Sequence, residues 1–113
     1  MSLRQKQSRF FKLTARLIDK VHELGYEATW GDAYRDHRVH GPPGVKRSYS
    51  HPSSTHKQRL AVDLNLFKDG RFITNDEGHK LLGAWWKQQD PDARWGGDFR
   101  DPNHYSFEHE GAK

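Results

Sequence analysis

The sequence predicts one small domain that combines two helices with a set of short strands. Three observations carry that expectation: an amphipathic stretch over residues 3–24, alternating aliphatic residues over 60–67 that run into Asp69-Gly70, and a second helical stretch after Thr74. With 113 residues and a hydrophobic content of 33%, the chain supports one modest core, to which an aromatic content of 12% contributes large buried areas. That aromatic content argues against disorder, although 30% of the residues are charged.

Residues 3–24 place Phe10, Leu13, Leu17, Val21 and Leu24 on one helical face, with Phe11 and Ile18 expected to widen the stripe. Ser2 with Gln5 reads as a capping box and Gly25 as the stop. Residues 26–35 read as a strand. Residues 36–55, with Gly41-Pro42-Pro43-Gly44, read as a long loop expected to line a cleft. Leu60, Val62, Leu64 and Leu66 alternate with Ala61, Asp63, Asn65 and Phe67, which predicts a strand with the aliphatics inward. Asp69-Gly70 then turns the chain back through Arg71-Phe72-Ile73 as a hairpin. Thr74 and Glu77 cap a helix carrying Leu81, Leu82, Trp85 and Trp86, which ends at Asp90-Pro91. Trp95-Gly96-Gly97-Asp98-Phe99 is a tight segment leading to a last strand, residues 104–108.

The absence of cysteine excludes disulfides and thiolate zinc sites, so any zinc must be held by histidine and carboxylate. The first residues are polar and no long apolar run exists. The expectation is therefore cytoplasmic synthesis without a signal peptide, and no membrane span. The net charge of +4 suits nucleic acid, anionic wall polymers or anionic lipid. Arg35, Arg38, Lys46 and Arg47 give the long loop a basic character that a nucleic-acid partner would fit. No nucleic-acid motif accompanies them, however, and the same charges suit an anionic peptide.

Two segments narrow the function. Ser54-Thr55-His56 through Asp63 and Asp101-Pro102-Asn103-His104 together offer two imidazoles and a carboxylate as ligands, with a spare carboxylate three residues before the last. A hydrolytic zinc site needs that inventory: three protein ligands, one open position for water, and a general base beside it. Asp63 projects from the face opposite the aliphatics, and His104 meets it if the two strands pair. His56 lies an odd number of residues before Asp63, so a turn near Gln58-Arg59 must bring it round. Asp101, in a Pro-containing turn, stands where a general base would. The bland alternative is an ordinary turn, a capping Asp and surface histidines; it explains each residue singly but not the whole set. His37 and His40, with His51 in the same loop, form a competing pair whose spacing lacks a helix to align the rings. His22, His79 and His109 are expected at the surface.

These residues resemble a known family. Ser54-x-His56-x-x-Arg59-x-Ala61-x-Asp63 resembles the Ser-x-His-x-x-Gly-x-Ala-x-Asp signature of the zinc D-alanyl-D-alanine carboxypeptidase and L-alanyl-D-glutamate endopeptidase family, and Asp101-Pro102-Asn103-His104 resembles its acid-x-x-His element. The family includes VanY and VanX types and phage endolysins. The resemblance covers residues 30–108 and implies an α+β fold, a small antiparallel sheet flanked by helices of the Hedgehog/DD-peptidase type. It implies a single zinc peptidase domain over residues 1–113, with no separate cell-wall-binding domain, acting as a monomer on peptidoglycan stem peptides. Carried over by position, His56, Asp63 and His104 bind Zn2+, Asp101 is the general base, Arg35 assists the oxyanion and Ser54 orients loop or substrate. Asp at position 101 resembles the endopeptidase branch, whose phage members reach the wall through a holin pore. The chain departs from the signature at Arg59, where the family has glycine, and after His104, where it reads Tyr-Ser-Phe-Glu. The alternatives are a carboxypeptidase of the same family and a non-catalytic zinc-containing wall-binding module.

Overall fold

The computed structural model describes residues 2–31, 55–73 and 77–113. Arg35, Ser54, the rival histidines His37, His40 and His51, and the Thr74 cap lie outside the described residues.

Helix α1 spans Leu3–Glu23. Its start is the expected capping box, with the Gln5 amide donating to Ser2 Oγ at 3.1 Å and the Ser2 amide to Gln5 Oε1 at 2.9 Å. At its end Gly25 turns left-handed (φ 86°). The Gly25 amide then donates to His22 and the Tyr26 amide to Val21, closing a Schellman motif. Phe10, Leu13, Leu17 and Val21 are buried, as the spacing predicts. Phe11 and Ile18 are not: they are 81% and 39% exposed.

Strand β1 covers Glu27–Trp30, and β2 covers Ala61–Lys68. Asp69 and Gly70 are both left-handed, at φ 53° and 77°, and turn β2 into β3, Arg71–Phe72. Helix α2, Glu77–Lys87, buries Leu82 and Trp86 but leaves Leu81 66% exposed. A short strand that residue periodicity does not reveal, β4 at Ala93–Trp95, precedes a 3-10 turn over Gly96–Phe99, and β5 is His104–Phe107. The sheet is antiparallel in the order β1-β2-β5-β4, with β3 beside β2. The described part of the chain is thus α+β: two helices and a small antiparallel sheet.

Both helices seal the core against the sheet. Phe10, Trp86 and Phe107 meet in edge-on and tilted pairs with centroids 5.3–5.9 Å apart. The buried Trp86 indole donates to the carbonyls of Arg94 and Ser106, which satisfies its one polar group. Among the described residues, no helix is long and apolar enough to cross a membrane.

Candidate metal centre

Register places the first two ligands. β2 and β5 pair antiparallel with Asp63 directly opposite His104. Directly paired residues in an antiparallel ladder project to the same side with Cβ atoms about 5 Å apart. The strand parity read from sequence therefore brings this pair together.

The third ligand depends on a turn. Residues 55–59 form one helical turn in which the Arg59 amide donates to His56 O at 3.1 Å and the Leu60 amide to Thr55 O at 2.8 Å. That is a Schellman closure, and it requires Arg59 to be left-handed, at φ 58°. The turn absorbs the odd spacing and swings His56 onto the side occupied by Asp63. Arg59 thus sits where a residue without Cβ would adopt the backbone without strain. Gln7 on α1 donates to Gln58 O at 2.7 Å and ties the turn to the helix.

Three donor atoms converge. His56 Nε2 lies 3.2 Å from Asp63 Oδ1, His104 Nδ1 lies 3.4 Å from the same oxygen, and the two nitrogens are 3.2 Å apart. All three residues are buried. Asp63 Oδ1 has both ring nitrogens within 3.4 Å, yet no hydrogen bond of good geometry reaches it. A buried carboxylate oxygen facing two ring nitrogens without a hydrogen bond is costly unless something else occupies the centre of the triangle. Donors held at about 2.0–2.1 Å around a tetrahedral ion lie roughly 3.3–3.4 Å apart, which the observed triangle matches. His56, Asp63 and His104 can therefore hold a metal ion. Burial pushes the Asp63 carboxyl up, but the His104 and His56 imidazoles outweigh it and hold the group at about 2, so it stays ionised and ready to ligate.

Asp101 lies beside the triangle. Its side chain is 41% exposed and its Oδ2 lies 3.9 Å from His104 Nδ1. The His104 amide donates to Asp101 O at 3.0 Å, and the Asp101 amide to Gly96 O at 2.7 Å, which fixes the turn that carries the acid. Gly96 is required there, because a Cβ would collide with the Asp101 carbonyl and the His104 Cβ. The Trp95 indole donates to Pro102 O at 2.7 Å and pins the other side of the turn.

No family model matches this chain, and no curated protein or solved structure does either.

The sequence-derived site residues thus divide in two. His56, Asp63, His104 and Asp101 come together, whereas Arg35 and Ser54 lie outside the described residues. One histidine departs from the expectation. His79, expected at the surface, is buried with Nδ1 2.7 Å from the Tyr105 hydroxyl, and burial pushes that phenol up. It shares the inward face of α2 with Leu82 and Trp86, a helical spacing of three and four that could have revealed it.

A groove of about 610 Å³ opens beside His56. Its walls include the exposed aromatics Phe11 and Trp30, and among the described lining residues Arg4 and Arg59 carry the charge and no carboxylate is present.

Proposed function

We propose that the protein is a zinc-dependent peptidoglycan peptidase, an L-alanyl-D-glutamate endopeptidase with the Hedgehog/DD-peptidase type of fold. The observation that carries the reading is the closed triangle of His56, Asp63 and His104, with the partly exposed Asp101 carboxylate 3.9 Å from His104 Nδ1. Two nitrogens and one carboxylate oxygen suit zinc better than calcium or magnesium, which take oxygen donors. Zinc at this position supplies a Lewis acid for the scissile carbonyl and makes water acidic enough to be deprotonated near neutral pH.

The chain's own groups do the rest. His56, Asp63 and His104 would hold the ion, with the Asp101 carboxylate beside them. The Asp101 carboxylate accepts the proton of the attacking water and returns it to the leaving amine, a role that requires the partial exposure it has. Arg4 and Arg59 give the adjoining groove a positive charge, which complements the carboxylates of a stem peptide. By the motif alone, Arg35 assists the oxyanion and Ser54 orients the substrate. Synthesis in the cytoplasm with release through a holin-type pore belongs to the same proposal.

The test is mass spectrometry of purified peptidoglycan incubated with zinc-loaded protein, alongside a chelator-treated control. Release of stem peptides cut after L-alanine supports the endopeptidase. Loss of a terminal D-alanine alone moves the protein to the carboxypeptidase branch, and no zinc-dependent product leaves a wall-binding module. Asp101→Ala should retain zinc and lose roughly 100-fold or more in rate. Normal hydrolysis by that variant refutes the assigned base.

A further inference from the structure

The second ring nitrogen of His104 is held by a part of the chain that the ligand motifs do not include. His104 Nε2 lies 3.1 Å from the main-chain oxygen of Lys113. A main-chain oxygen only accepts, so the neutral ring must carry its proton on Nε2, which leaves the Nδ1 lone pair facing His56 and Asp63. Lys113 reaches this position because residues 109–112 fold back on themselves. The His109 and Ala112 amides each donate to the other's carbonyl at 2.9 Å, around Glu110 and Gly111, which are both left-handed at φ 50° and 85°. This is the backbone of a two-residue hairpin turn of the primed kind.

The turn is anchored as well as closed. Lys6 on α1 donates to Glu108 O at 3.0 Å and lies 3.4 Å from His109 Nδ1. The Glu108 amide donates to Asp92 O at 2.8 Å, and the Glu108 carboxylate pairs with Arg94 at 2.9 Å. These contacts hold the base of the turn to α1 and to the segment around β4, so the oxygen of Lys113 is presented from a supported position.

The geometry points to residues 109–113 as a positioning element for the metal centre: the turn selects the Nε2–H tautomer of His104 and aims Nδ1 at the ion. Histidine ligands elsewhere depend on such a partner on the second nitrogen, and its loss typically weakens metal binding 10–100-fold. The inference rests on the metal reading of the site. It assigns a role to Gly111, whose φ of 85° a β-branched residue does not tolerate.

The experiment has two arms. In the first, long-range proton–nitrogen correlation spectra of the metal-free wild type at alkaline pH report the tautomer of His104 directly. Nε2–H is expected, and Nδ1–H overturns the inference whether or not the protein binds metal. In the second, zinc dissociation constants from chelator competition are compared for wild type, Gly111→Val, Gly111→Asn and a chain lacking residues 110–113, each with its metal-free melting temperature. Gly111→Val and the shortened chain should bind zinc about tenfold or more weakly. Gly111→Asn, which tolerates the left-handed backbone, should stay close to wild type, and metal-free melting should change little. Unchanged zinc affinity in the shortened chain overturns the inference, as does a loss of affinity that follows melting temperature across the set. A wild type that binds no zinc refutes the metal reading instead.

Discussion

Zinc should stabilise this protein, because the ligand triangle already stands close to the geometry the ion needs. Its edges are 3.2, 3.2 and 3.4 Å. A tetrahedral zinc site needs edges of roughly 3.3–3.4 Å, so the donors must move only about 0.1–0.2 Å to take the ion. Little of the binding free energy is then spent on rearrangement. At free zinc 100-fold above its dissociation constant, the native state gains about 2.7 kcal/mol. For a chain of this length that corresponds to a rise in melting temperature of roughly 10–15 °C. The assay is thermal melting by circular dichroism with excess chelator, with zinc, and with calcium or magnesium. Calcium and magnesium should give no comparable shift, because two of the three donors are imidazole nitrogens. Asp63→Ala removes the only carboxylate of the triangle and leaves two donors, so its melting should no longer respond to zinc. Identical melting of the wild type in zinc and in chelator refutes the argument, and so does an Asp63→Ala variant that responds as strongly as the parent.

Arg59→Gly should stabilise the metal-free protein by about 0.5–1 kcal/mol. It removes a left-handed side-chain penalty of about 1–2 kcal/mol while adding chain entropy to the unfolded state; chemical denaturation measures the gain, and a loss would show that the turn is not left-handed in solution. Gly96→Ala should destabilise the fold by about 1–3 kcal/mol and weaken zinc binding together, since the new Cβ collides with both the Asp101 turn and the His104 strand. Equal stability and affinity in that variant would contradict the close approach. In the metal-free protein, the Asp63 carboxyl is held at about 2 against an ordinary 3.8. Its ionised form therefore contributes about 2 kcal/mol of stability that is complete above about pH 4 and is lost as the pH falls towards 2. Urea unfolding of wild type and Asp63→Asn across that range should show the difference between them shrinking with acid, and a gap independent of pH would refute the assignment.

The elements that were legible in the sequence are those whose period is set locally. Helix α1 was readable because Phe10, Leu13, Leu17 and Val21 recur at helical spacing between a capping box and a glycine stop. The meeting of Asp63 and His104 was readable because alternation fixes which side of a strand each residue occupies. Periodicity indicates that a face is apolar, but not how wide a surface it meets, so Phe11 and Ile18, expected to widen the stripe, lie outside it. β4 escaped notice because Ala93-Arg94-Trp95 is too short to show alternation and becomes a strand only through its pairing with β5.

The candidate site divides along the same line. Its ligand identities and their order are properties of the chain, since imidazole and carboxylate are chemical facts of single residues. Their convergence is not. His56 reaches the others only because Arg59 adopts a backbone that arginine does not favour by itself, held there by the hydrogen bonds that close the 55–59 turn. His104 is aimed by the oxygen of Lys113, a main-chain atom that every residue possesses and no motif can mark. Side-chain chemistry is written residue by residue, whereas backbone conformation and main-chain hydrogen bonds at a distance are decided when the sheet and helices pack.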